Sequence, residues 1–240
     1  MENTVIPKEK SQNALYFKHR SQIAKFTTPV AEGSDGGVRR DWVNPKTMEK
    51  GHTNEIQLDK IGGEWIDARI HTQEWEAKEG QPARTETSLL LALDQDGLVR
   101  VLKLNVFGGH GLSSPFTYFA KRCETIDPTL YTYFESWMPP NAEYAVLLYK
   151  QDVGEKWPQT RKCNYWNRTK EAYEGLPELV KTPGLGGKEE IDSKERDKYL
   201  YGLVEEFCKK VQGLNQNQKE QSQTQDAGNN VPESDEDVPF

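Results

Sequence analysis

Cysteine, histidine and long apolar runs are all scarce in this chain, and each scarcity closes a route. Cys123, Cys163 and Cys208 lie far apart, without the paired spacing of a disulfide framework. Taken with His19, His52, His71 and His110 they show no zinc-ligand spacing, so no metal site is expected. No run of about 18 apolar residues offers a transmembrane helix, and the opening MENTVIPKEK lacks the apolar stretch of a secretory signal. A reducing cytoplasm is the compartment these gaps suggest. Catalytic signatures are thin too. Gly184-Leu185-Gly186-Gly187-Lys188-Glu189 has the outline of a phosphate loop, but Thr182 holds its first glycine position and Glu189 replaces the Ser or Thr. Gly108-Gly109-His110-Gly111 more simply ends a strand, and no pair of carboxylates is marked for acid–base work. The expectation is a non-enzyme without a cofactor.

What the chain does have is polarity. Only 35% of its 240 residues are hydrophobic and 29% are charged, which suits one core with long polar ends. The net charge of −7 is unevenly spread. Residues 219–240 carry one Lys against six Asp and Glu, leaving the rest at −2, and residues 1–50 hold nine Lys and Arg against six acids. Such a body permits a basic face without requiring one.

Residues 1–50 show no sustained period and read as a basic, partly flexible N-terminal arm. Tyr16, Phe17, Phe26 and Trp42 are interleaved there with Lys18, Arg20, Lys25, Arg39 and Arg40. Residues 51–173 read as the central domain. Around Glu64–Trp75 the set Ile66, Ala68 and Ile70 alternates with Trp65, Asp67, Arg69, His71 and Trp75, a strand with one core face. Thr85–Leu93 and Leu98–Phe107 follow as strands joined by a tight turn at Asp94-Gln95-Asp96-Gly97. Ser113-Ser114-Pro115 opens a short helix with a hydroxyl cap, and Leu130–Met138 and Tyr144–Lys150 add two more strands. Three strands, a helix and two strands is the order of the OB fold, so a five-stranded barrel is expected, with an SH3-like barrel as the other candidate. Residues 174–213 hold a loop and a helix from the Asp192-Ser193-Lys194-Glu195 capping sequence to Gly213, packed on the barrel by Tyr199, Leu200, Leu203, Val204, Phe207, Cys208 and Val211. Residues 214–240, rich in Gln, Asn and Ser, read as a disordered linker and a terminal tip.

That tip is Asp235-Glu236-Asp237-Val238-Pro239-Phe240, an acidic cluster followed by an apolar hook. It resembles the C-terminal tip of bacterial single-stranded DNA-binding proteins, which recruits replication, recombination and repair enzymes. The body is similar in element order to phage-encoded members of that family, in which an arm precedes the barrel and a helical segment follows it. The resemblance implies sequence-tolerant coating of single-stranded DNA and recruitment of partner proteins through the tip. The implied partners are thus single-stranded DNA, those enzymes and further copies of the chain, with no membrane.

Unstacked bases lie on aromatic faces and phosphates on Arg and Lys, so the contact set is drawn from residues where the two mix. It comprises Trp65, Arg69, Trp75, Lys103, Phe107, Trp157, Arg161, Lys162, Tyr165 and Trp166. The competing reading of each aromatic is a place in the core. Two other functions stay open: a protein-interaction adaptor, and an RNA-binding or strand-annealing protein.

Overall fold

The computed structural model describes residues 14–43, 47–77, 82–109, 111–167, 172–183 and 189–227. Four strands come from the first 58 residues: β1 (Leu15–Arg20), β2 (Lys25–Val30), β3 (Val38–Val43) and β4 (Lys50–Leu58). Then come β5 (Lys60–Trp75), β6 (Arg84–Gln95), β7 (Leu98–Asn105) and the short pair β8 (Phe107–Gly108) and β9 (Gly111–Leu112). Helix α1 (Ser114–Ala120) leads to β10 (Thr132–Trp137), β11 (Val146–Gln151) and β12 (Gln159–Thr160). Two further pairs, β13 (Trp166–Asn167) with β14 (Ala172–Tyr173) and β15 (Val180–Pro183) with β16 (Glu189–Asp192), precede helix α2 (Lys194–Ala227).

One ten-stranded sheet runs β12-β11-β10-β5-β6-β7-β1-β2-β4-β3. All neighbours are antiparallel except β1 and β7, which run parallel with Lys18 opposite Lys103. This overturns the expected closed five-stranded barrel. The strands expected beyond residue 60 do form, but β1 takes the outer edge of β7 and β12 that of β11, so the five do not close on themselves. Of the added strands, β1 to β3 come from the stretch expected to be an arm. In Leu15–Arg20, Phe17 is buried between exposed Tyr16 and Lys18, an alternation only six residues long.

Strand β5 organises the sheet. It pairs with β10 up to Gly63 and with β6 from Glu64 onward. At that handover the strands pass so closely that a Cβ on Gly63 would stand 2.5 Å from the Asp94 carbonyl oxygen. A bulge between Trp65 and Asp67 inserts Ile66 as an extra residue. Upstream, β4 runs into β5 across the single residue Asp59, whose carbonyl accepts the Ser136 N–H at 3.0 Å. At the other end, Asp96 and Gly97 both take positive φ and Gln95 pairs with Leu98, making the two-residue hairpin turn that Asp-Gly favours.

The helices cover one face of this sheet. Trp65, Phe119, Phe134, Tyr149 and Phe207 meet there in edge-on contacts with ring centroids 5.2 to 5.8 Å apart. Leu200, Val204, Phe207, Cys208 and Val211 form the buried stripe of α2. Each such apolar side chain contributes roughly 1.5–3 kcal/mol on burial. Ser113 caps α1 by accepting the Phe116 N–H at 3.3 Å. Helix α2 does not stop at Gly213 but continues to Ala227 through part of the expected linker. On the way Gln212 and Asn215 donate to the Ala68 and Ile66 carbonyls of β5 at 3.0 and 2.9 Å. They occupy acceptors on the edge of β5 that β6 leaves free.

Candidate nucleic-acid interface

Residues opposite one another in neighbouring strands share a face. Ala68, Leu91, Leu102 and Phe17 stand in one such row and are all buried in the core. The adjacent row, Arg69, Leu90, Lys103 and Lys18, therefore lies on the other face, where Leu90 is buried and Arg69, at the free edge of β5, also lines a cleft against α2. The row crosses four strands and carries a cation on three of them. One step along, Glu86 accepts from Lys103 at 2.7 Å. That hydrogen bond holds its carboxyl below the usual range, and the charges of Lys18 and Arg84 add to the effect against a smaller opposing one from burial. Glu86 thus sits in a field set by three neighbouring cations.

Arg69 stands 3.4 Å from Asp67, which is only 1% exposed. Burial pushes the Asp67 carboxyl up, while Arg69, Gln212 and the Ala68 N–H oppose the rise. Beside Arg69 a cleft of about 310 Å³ opens between β5 and α2, with His71, Glu205, Lys209 and Gln212 in its walls. Further along, β5 and β6 extend past β7 as a two-stranded ribbon. Its outer part carries exposed Trp75 with the Arg84 guanidinium 5.3 Å from the ring centre, and the Thr72 and Thr87 hydroxyls 3.1 Å apart. A phosphate track flanked by an aromatic ring is what this face offers chemically.

The residues anticipated from sequence divide by position. Arg69 and Lys103 lie in the basic row and Trp75 on the ribbon beyond it. Phe107 is exposed in the β8–β9 pair. Trp65 is core: its indole donates to Thr132 at 2.7 Å and its ring meets Phe134 and Phe207. The bulge explains the change of side. One extra residue reverses the alternation, so Trp65 joins Ala68 and Ile70 while Ile66 turns to a second apolar cluster with Leu90, Ala92, Val99 and Val101. Tyr165 is buried as well, its hydroxyl bonded to Glu124 and to Tyr199, with burial the largest cause of its raised pKa.

Trp157 is 70% exposed, outside the row. Arg161 is half-buried, with its N–H on the Tyr149 carbonyl at 2.7 Å, and Lys162 is exposed. Trp166 lies on the helical side against Tyr173. The tip, Asp235 to Phe240, lies outside the described residues. Lys18, His71 and Arg84 share this face and stand outside the set drawn from sequence. Lys18 was legible in principle, since it stands between Phe17 and His19 in the short alternating run.

No known family model, curated protein or solved structure matches this chain. Among the described residues no group of three or more His, Cys, Asp and Glu is placed to hold a metal ion. Among them, too, no helix is long and apolar enough to cross a membrane.

Proposed function

We propose that this protein binds single-stranded nucleic acid, DNA in the first instance, along the outer face of β5, β6, β7 and β1. The observation that carries the reading is the in-register row of Arg69 on β5, Lys103 on β7 and Lys18 on β1, with buried Leu90 of β6 between the first two. A row of this kind follows a phosphate backbone, and binding releases condensed counterions, so affinity falls with salt. Trp75 beside Arg84 supplies a ring on which a base of any identity stacks. Without a base-reading contact the binding is sequence-tolerant, and it involves no bond chemistry. The acidic tip ending in Val238-Pro239-Phe240 recruits replication, recombination and repair proteins by its resemblance to single-stranded DNA-binding proteins, in the cytoplasm of a bacterium or of a phage-infected cell.

Tryptophan fluorescence on titration with oligo-dT, oligo-U and duplex DNA at two salt concentrations tests this. Quenching by oligo-dT that weakens with salt and exceeds the duplex response supports the proposal. A stronger response to oligo-U would move the substrate to RNA. Silence towards all three would remove nucleic acid and leave the protein-interaction adaptor.

A further inference from the structure

A second set of cations and rings lies on the helical side of the sheet. Lys121 follows α1, and its ammonium stands 3.7 Å from the centre of the Tyr173 ring. Tyr173 faces Trp166 across the β13–β14 pair, with centroids 5.0 Å apart and planes at 65°. Trp166 is 42% and Tyr173 45% exposed. Arg122, next in sequence, lies over the Tyr118 ring at 3.4 Å and donates to the Tyr118 carbonyl at 2.9 Å. Arg196, in the first turn of α2, donates through Nε to the Pro177 carbonyl at 2.7 Å. These carbonyl contacts orient both guanidinium groups without neutralising them.

Both arginines act on Lys121. The Lys121 pKa is lowered first by burial and then by the charges of Arg196 and Arg122, with the Cys163 thiol opposing. Among the described residues none of the three is in an ion pair. Glu124, the carboxylate nearest Lys121 and Arg122 in sequence, is engaged by the Tyr165 hydroxyl, and Asp197, beside Arg196, accepts from the Ser193 hydroxyl. On the outer face, by contrast, Lys103 and Arg69 each have a carboxylate beside them. Cations without an ion pair among the described residues, next to two half-open rings, suit a ligand that brings negative charge and a flat apolar surface together. A nucleotide unit carries both.

We propose that Lys121, Arg122, Arg196, Trp166 and Tyr173 form a second site for single-stranded nucleic acid, so that one protomer holds two strand segments, one on each side of the sheet. This rests on the proposed function and extends it from coating a strand to bringing two strands together. Lys103 and Lys18 lie on the face opposite the core and Lys121 follows α1 on the helical side, so a short oligonucleotide on one side leaves the other vacant.

The test uses the full chain and oligo-dT too short to pass around the sheet. Calorimetry counts oligonucleotides per protomer, sedimentation gives the number of protomers, and energy transfer between donor- and acceptor-labelled oligonucleotides reports two held together. Two per protomer with transfer is expected. Lys121→Ala with Trp166→Ala should reduce this to one per protomer and abolish transfer while leaving the remaining site occupied. A second measurement needs no substitution: saturating oligo-dT should slow maleimide labelling of Cys163, which lies beside Lys121. One oligonucleotide per protomer, an unaffected double variant or an unchanged Cys163 rate would overturn the second site and leave the outer-face reading standing. Absence of all binding would remove both.

Discussion

At the scale of single residues, three thiols have two fates. Burial pushes Cys123 and Cys208 up to about 12, whereas Cys163 is half-buried. Only the thiolate reacts, so the native protein at mildly alkaline pH should label rapidly at Cys163 alone, the other two following on denaturation. A peptide map after a short maleimide pulse checks this, and fast labelling at Cys208 would contradict the packing of α2. Asp67 gives a pH prediction. An acid whose pKa is higher in the fold than its ordinary 3.8 favours the fold while protonated, and that contribution is lost as pH climbs through the raised value. Asp67→Asn stays neutral throughout, so its stability relative to the parent should rise with pH. Denaturant melts from about pH 3 to about pH 7 measure the difference, and a flat difference would exclude the effect. Such residue environments were only partly legible. The sequence marked Arg69 and Lys103 as facing outward, but nothing in it announced the bulge that carries Trp65 inward.

At the scale of elements, the junction of α2 with β5 decides how much of the strand edge is open. Removing Gln212 and Asn215 side chains together deletes two hydrogen bonds to β5, each worth about 0.5–1.5 kcal/mol net. Gln212→Ala with Asn215→Ala should therefore cost about 1–3 kcal/mol in a denaturant melt. It should also promote self-association, since freed strand edges pair with other chains. A stable, strictly unassociated variant would mean that the two amides do not guard the edge. Gly63→Ala should be worse than a typical surface change, because its new Cβ would meet the Asp94 carbonyl rather than a side chain that can turn aside. The stripe of α2, the cap at Ser113 and the turn at Asp96-Gly97 could all be read in advance, because each is a local pattern. Strands β1 to β3 could not be placed, since runs of six residues reveal their pairing only once β7 supplies a partner edge. The length of α2 was underestimated because its last turns carry no apolar stripe.

At the scale of the whole molecule, the proposed function makes affinity an ionic-strength measurement. Each phosphate neutralised contributes about 0.7 to the slope of log affinity against log salt for a single strand. Lys18→Ala should therefore lower that slope by about 0.7 and weaken binding to all oligonucleotides alike. An unchanged slope with intact binding would take β1 out of the interface. The negative overall charge hid this surface from composition, since the register that gathers Lys18 with Lys103 joins residues far apart in sequence.

The same register constrains how the protein is made. Strand β1 leaves the ribosome before β7, yet it sits between β7 and β2 inside the finished sheet. It has no partner on its β7 side until the chain through Asn105 has emerged, and pairing so distant in sequence is slow. In that interval the exposed backbone of β1 and the incomplete core beneath Phe17 are open to the wrong neighbours. Aggregation on fast expression, relieved by slower expression or added chaperone, is the outcome expected from where this six-residue strand is placed.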